Sequence, residues 1–345
     1  MINEEISEGY VFASFGNIDF VKFAVVSATR IRAYDKKRKI ALVCCLSHKH
    51  YLNSNNLQNI FDRIIIIEDE HKSIVGFKHN IYKYMPFDCN MYIDSDMLIC
   101  KNPDKLWHNL KVYGFTTTGQ KSADMYFGSH KNAYILFDII FGKRKKTLKK
   151  FNLSHLYRVQ TGIIFASEYN ITKKVCEFAK YYYSKKNQTH FISRDNENGR
   201  VLDTCEWSLG LAMSALKLHV YPWFNGYESP QLDFIYGLTE TDKDYTKVSV
   251  KYYCNSFMHS LRGLNSEYIR KFIKTMLGLV PGLNDHMWVT PYFLHFGWSH
   301  QKKYFYNYME RKLNEIINSK KLYRNDFHEK GSQKKVFVSN SSKKK

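Results

Sequence analysis

The chain has 345 residues, 44% of them hydrophobic, with 26 Tyr, 24 Phe and 5 Trp against only 6 Pro and 17 Gly. This excludes a fibrous or disordered chain and supplies enough apolar surface for one large domain. Lys and Arg outnumber Asp and Glu by 52 to 32, a formal net charge of +20, so the candidate partners are polyanions: nucleic acid, an anionic membrane face or a phosphorylated glycan. Plain solubility is the rival account of the same charge.

The N-terminal residues are acidic and polar, unlike a signal peptide, and no apolar run reaches the length of a membrane span. The seven cysteines (44, 45, 89, 100, 176, 205 and 254) form no CxxC pair. They read as free thiols in apolar contexts such as Leu42-Val43-Cys44-Cys45, which points to a reducing compartment. A cytoplasmic location is expected, with peripheral attachment to a membrane left open.

In chain order, Tyr10–Phe15 reads as a buried strand and Asp19–Tyr34 as a helix with apolar residues at helical spacing. Lys39–Leu46 and Arg63–Glu68 are further strands, with a short irregular link at 53–61 between them. Lys78–Met85 reads as a short helix. Residues 90–100 hold a fourth strand. Strands apolar on both faces, alternating with helices, imply a mostly parallel α/β sheet covered on both sides. Beyond it, 112–118 and 161–166 read as strands and 120–155 as a basic, aromatic-rich insertion. Helices are expected over 170–183, with Asn170 as its cap, over 206–216 and over 304–317. Residues 326–345 read as a basic, disordered tail.

The chemistry concentrates in Met91-Tyr92-Ile93-Asp94-Ser95-Asp96-Met97-Leu98-Ile99. Two carboxylates inside an apolar run are costly if buried unpaired. In a regular strand both project to one face. At the carboxyl end of a parallel strand, that face opens on the usual ligand crevice of an α/β sheet. Converging carboxylates are hard ligands suited to Mg²⁺ or Mn²⁺. An EF-hand would need an oxygen ligand at 98 and Gly at 99, where Leu98 and Ile99 stand. A haloacid-type phosphatase also uses Asp-x-Asp, but favours Thr or Val at 98 and a place near the N-terminus. Two solvated carboxylates at a strand end remain the bland alternative.

Four other segments accompany the acidic pair. They are Phe15-Gly16-Asn17-Ile18-Asp19-Phe20, Phe77-Lys78, Gln160-Thr161-Gly162 with the later Asp203-Thr204-Cys205-Glu206, and His295-Phe296-Gly297-Trp298 followed by Lys302-Lys303. Together with Asn102-Pro103-Asp104-Lys105-Leu106-Trp107 after the fourth strand, this set resembles the GT-A fold glycosyltransferases. The likeness is greatest to the glycogenin-like and lipopolysaccharide-galactosyltransferase-like retaining enzymes. It covers roughly residues 10–305.

The resemblance implies a Rossmann-like, mostly parallel sheet in one domain over 1–325. Its nucleotide-binding half would be 10–118 and its sugar and acceptor half 119–325. It implies that Asp94, Asp96 and His295 hold Mn²⁺ or Mg²⁺. Phe15, Asn17, Phe20, Lys78, Ser95, Gln160 and Gly162 would contact a nucleotide-sugar, presumed by the likeness to be a UDP-sugar. Lys302 or Lys303 would reach the diphosphate; one residue fewer than in the longer motif separates Phe296 from Gly297, so the choice stays open. Glu206, with Asp203 next in line, would act at the transferred sugar. The same two acids also fit ordinary helix capping, and Phe20 fits the core of the following helix. Gln160 stands where the family has Asn, and Phe77 also departs from its pattern.

The expected activity is metal-dependent sugar transfer, with retention of anomeric configuration, to an anionic acceptor. A lipid-linked glycan at a membrane surface is one acceptor. A hydroxymethylated DNA base is the other, served by Lys143-Arg144-Lys145-Lys146 and the aromatics Tyr126, Phe127, Tyr134 and Phe137. A non-catalytic nucleic-acid-binding protein on a degenerate nucleotide-sugar fold is the alternative of a different class.

Overall fold

A computed structural model describes residues 6–120, 141–189, 205–253, 266–283 and 285–336. The chain starts with β1 (Glu8–Ser14), α1 (Asp19–Tyr34), β2 (Lys39–Cys44), α2 (Leu46–Ser54), β3 (Arg63–Ile66), α3 (Ile74–Lys78), β4 (Cys89–Ile93), β5 (Met97–Ile99) and α4 (Asp104–Leu110). It continues through β6 (Phe115–Gln120), α5 (Lys143–Lys150), β7 (Arg158–Ala166), α6 (Tyr169–Ser184), α7 (Glu206–Ala215), β8 (Tyr221–Pro222) and β9 (Gln231–Asp233). It closes with β10 (Thr239–Thr241), β11 (Val248–Tyr253), α8 (Glu267–Leu277), β12 (His286–Val289), β13 (Phe293–His295) and α9 (Lys302–Val336).

The central sheet has the order β3-β2-β1-β4-β7-β6-β8. Its first four strands are parallel, and β7 runs antiparallel to β4 and β6. The expected α/β class with a mostly parallel sheet is what the chain forms. Alternation along each strand feeds two cores. Tyr10, Phe12, Leu42, Met91 and Ile93 pack with α1 residues such as Val21, Ala24 and Val25. Val11, Val43, Tyr92 and Ile164 point the other way, onto Val175 of α6 and Trp207 and Leu211 of α7.

A buried polar strut ties β1 to α4. The Trp107 indole N–H donates to the Tyr10 hydroxyl (2.9 Å), which donates to Asp35 (2.6 Å). Arg38 donates to Asp35, Glu8 and Asp104 at 2.7–2.8 Å and lies 4.8 Å from the Trp107 ring centre.

Several elements differ from expectation. The fourth strand is two, β4 and β5, with Asp94-Ser95-Asp96 as the turn between them. Residues 78–85 are not one helix: α3 ends at Lys78 and a single 3₁₀ turn covers Ile81–Tyr84. The N-cap of α6 is Glu168, not Asn170; its carbonyl accepts from the Thr172 amide and hydroxyl. Cys205 precedes α7 without a side-chain cap bond, so Glu206 is the first helical residue. Asp203 lies outside the described residues, as do Tyr126, Phe127, Tyr134 and Phe137.

The final helix runs through Val336, well past Ile317, and so takes in the first part of the expected tail. The Lys-rich composition that reads as solvated chain is also compatible with a helix, since Lys is a good helix former. Residues 337–345 lie outside the described set.

Six described cysteines are free thiols and all but Cys89 are buried; Cys254 is outside the described residues. Among the described residues, no helix is long and apolar enough to cross a membrane.

Candidate active site

The site is built where the chain leaves the central sheet for a small one. Ile93 of β4 pairs with Ile163 of β7, and the next amide, Asp94 N–H, still donates to the Gly162 carbonyl (2.9 Å). Two residues later the Asp96 carbonyl accepts from Phe296 N–H (3.0 Å), and Met97 opens β5 opposite His295. The Ser27 hydroxyl of α1 donates to the Ser95 carbonyl and pins the turn (2.9 Å). The carboxylates therefore converge through a turn, not through strand alternation on one face.

The small sheet has the order β5-β13-β9, with β13 antiparallel to β5 and parallel to β9. His295 is in register with Asp233. Asp233 Oδ1 lies 2.8 Å from His295 Nδ1, and its Oδ2 accepts from the Trp298 indole (3.0 Å). The Gln160 amide nitrogen is 3.0 Å from the same Nδ1. Its oxygen accepts from Gly162 N–H (2.8 Å) and from the Gln231 amide. His295 Nε2 is thereby turned toward Asp96 Oδ1, 3.6 Å away.

Two lysines complete the constellation. Lys78 is buried and donates to Asp94 Oδ1 (3.0 Å), the Thr161 carbonyl (2.9 Å) and the Thr161 hydroxyl (3.0 Å). Burial works against its charge, but Asp94 leads the neighbours that hold its pKa above the ordinary lysine value, with Glu206 adding a smaller part. Tyr92 donates to the same Asp94 oxygen (2.6 Å), and burial, with Asp94 next, pushes its phenol well up. Lys302 lies 3.1 Å from Asp96 Oδ2. Burial opposes the charge on Asp96, but Lys302 and His295 outweigh it and lower its pKa to about 2. Burial likewise opposes the imidazolium, but Asp233, Asp96 and Asp94 raise His295 to about 9.

Ligand atoms of Asp94, Asp96 and His295 all lie within 4.8 Å of one another. Two carboxylate oxygens and one imidazole nitrogen form a donor set that Mn²⁺ or Mg²⁺ accepts. Asp233 on Nδ1 supplies the outer partner that usually orients a ligating imidazole. The residues present fit a divalent cation.

The other expected residues fall at graded distances from this cluster. Gln160, Gly162 and Ser95 are part of its framework. Phe15 packs on Phe77, with ring centres 6.1 Å apart. Asn17 is exposed, and its side chain accepts from Asp19 N–H (2.9 Å) at the start of α1. Phe20 is exposed on α1, edge-to-face with Phe23, and so is not a core residue of that helix. Glu206 is partly exposed at the start of α7. Lys302 reaches the acidic pair, whereas Lys303 is exposed beside the Tyr304 ring.

Sequence reasoning missed Asp233, Gln231, Trp298, Thr161 and Tyr92. A signal existed for two of them: in Gln231-Leu232-Asp233 the polar residues alternate with a buried Leu, which places both on one face of a strand. Gln231 Oε1 is buried with no hydrogen-bond partner among the described residues. It borders Gly162, where an added Cβ would stand 2.7 Å from it.

No family profile and no curated protein matches the sequence. Solved structures do. The chain is similar to the galactosyltransferase LgtC in complex with donor and acceptor sugar analogs (11% identity, TM-score 0.45, 90% of this chain and 95% of that one). It is similar to mouse xyloside xylosyltransferase 1 (10%, 0.42, 66% and 88%). It is also similar to the glycosyltransferase GlyE of Streptococcus pneumoniae TIGR4 (11%, 0.42, 91% and 64%).

Proposed function

We propose that this chain is a metal-dependent glycosyltransferase that moves a sugar from a nucleotide-diphosphate donor, a UDP-sugar, to an anionic acceptor. One observation carries the reading. Asp94, Asp96 and His295, from segments some two hundred positions apart, present ligand atoms within 4.8 Å of one another. A cation bound there supplies positive charge to a departing diphosphate.

The chain's own residues do the rest. Asp233 holds the His295 ring by accepting from its Nδ1. Lys302, paired with Asp96, adds a cation that can meet the charge developing on a phosphate. Lys78 neutralises Asp94 from the buried side and keeps the turn in shape. Gly162 is buried, and its missing Cβ makes room for Gln160 and Gln231 in the framework of the site, not for the sugar that the resemblance implies. Glu206 is the carboxylate available to orient sugar hydroxyls or to stabilise positive charge at the anomeric carbon. The reaction is expected to retain anomeric configuration, with Mn²⁺ or Mg²⁺ as cofactor. A lipid-linked glycan is the preferred acceptor and a hydroxymethylated DNA base the other.

The test is hydrolysis of UDP-sugars with and without Mn²⁺. The wild type is expected to release UDP only with metal. Asp94→Ala and Asp96→Ala should each lose about a hundredfold or more. Unchanged activity in both variants would refute the metal reading. Failure with every nucleotide-sugar, together with duplex DNA binding that weakens steeply with salt, would favour a nucleic-acid-binding protein.

A further inference from the structure

Helix α8 carries one charged stripe. Glu267, Lys271 and Lys274 recur at intervals of four and three residues and so lie along one side of it. Arg270, one turn before Lys274, joins them. Across from this stripe run the turn after β9, at Tyr236, Gly237 and Leu238, and Tyr253 at the end of β11. The cleft between them has a volume of about 470 Å³, the size of a site for one small molecule. Among the described residues, three cations and one carboxylate line it. Arg270 is 6% exposed, so salt screens its charge little. Lys274 stands 5.1 Å from the Tyr253 ring centre.

The cleft adjoins the candidate active site through β9. Tyr236 is the third residue after Asp233, so their Cα atoms are at most about 11 Å apart. The Tyr236 amide donates to Gln301 (3.1 Å), and the next residue, Lys302, pairs with Asp96. The Tyr236 ring stacks on Tyr304 of α9, with ring centres 5.4 Å apart and planes at 3°. One wall of the cleft is thus fixed to the elements that carry Asp233 and Lys302. A guanidinium and two ammonium groups around one cavity suit an anion with several charged oxygens better than a single carboxylate. We propose that this cleft holds the phosphate or diphosphate ester of the acceptor, with Arg270, Lys271 and Lys274 on its oxygens and the sugar to be extended directed toward the metal cluster. The proposal rests on the glycosyltransferase reading above. A soluble sugar phosphate and a lipid-linked diphosphate share this chemistry.

The experiment is calorimetric titration of the full chain with inorganic pyrophosphate in EDTA, which involves neither metal nor turnover. The wild type is expected to bind, and to bind more weakly as salt is added. Lys271→Gln/Lys274→Gln should lose at least about tenfold in affinity. Lys173→Gln/Lys174→Gln removes the same charge from exposed positions on α6 and should change affinity by about twofold or less. Whichever of farnesyl diphosphate and glucose 1-phosphate displaces pyrophosphate at the lower concentration names the source, lipid-linked or soluble. No pyrophosphate binding by the wild type would overturn the proposal, as would displacement by neither ester. An equal loss in the two double variants would also overturn it, by making binding a property of net charge. UDP release with Mn²⁺ tests the underlying reading separately: pyrophosphate binding in a protein that releases no UDP from any UDP-sugar leaves an anion cleft and overturns its assignment to an acceptor.

Discussion

The two nitrogens of His295 have different tasks. Nδ1 belongs to Asp233 and Nε2 to the acidic pair. Replacing Asp233 with Ala should therefore weaken Mn²⁺ binding about ten- to a hundredfold, the usual cost of losing the outer partner of a ligating imidazole. Titration of free Mn²⁺ by electron paramagnetic resonance reads this directly, without turnover. Gly297 is a second control on the same ring. A Cβ there would sit 2.3 Å from His295 Cε1, so Gly297→Ala must displace either the imidazole or the loop. The same titration should show at least about a tenfold loss of affinity, since a ligand moved off its geometry loses most of its value.

At this scale the sequence was informative where a residue contradicted its neighbours. Asp94 and Asp96 stand out because charge is expensive in an apolar run. Asp233 stands in a run just as apolar and the same test marks it, but its partner lies 62 positions away, so its role beside His295 could not be read locally. The choice between Lys302 and Lys303 was illegible for another reason. It depends on the phase of α9, and one residue of helix rotates a side chain by about 100°.

Among elements, the long strands and amphipathic helices of the first hundred residues could be read from alternation and helical spacing. β5, β9 and β13, with three residues each, are too short to carry a period, and they build the site. The break between β4 and β5 was hidden for a related reason: Ser95 flanked by acids alternates as well as any strand does. The antiparallel course of β7 could not be read either, since direction is set by long-range pairing.

The strut joining β1, α1 and α4 yields an acid-stability prediction. Burial opposes the charge of Asp35, but hydrogen bonds from Tyr10 and Arg38 outweigh it and hold its pKa below the ordinary carboxylate value. A carboxylate lowered in this way contributes stability above its unfolded pKa, about 3.9, and loses it as pH falls through the folded value. Asp35→Asn should cost about 2 kcal/mol in urea unfolding at pH 7, less than orphaning a buried partner outright, because Glu8 and Asp104 still engage Arg38. Below about pH 4 the wild type should lose this advantage, and the two curves should converge.

For the whole molecule, Trp298 links the candidate site to the small apolar cluster on which α8 packs. Its ring packs, as Ile273 and Leu277 of α8 do, against the cluster of Ile235, Leu238 and Tyr253, while its indole N–H holds the carboxylate that orients His295. Trp298→Phe keeps the ring and deletes the donor. It should lower Mn²⁺ affinity several-fold and leave the melting temperature within a few degrees of wild type, which separates the hydrogen bond from the packing within one variant.

The position of β13 in the small sheet has a consequence for synthesis. It is the middle strand, and every residue between it and β5 must leave the ribosome before the sheet can close. A nascent or prematurely released chain that stops short of Phe293 carries both aspartates, but neither the imidazole nor Lys302. Such fragments, some of whose strands can already pair, should release no UDP from a UDP-sugar. On the proposed function, the order of translation would keep half-made protein from consuming donor.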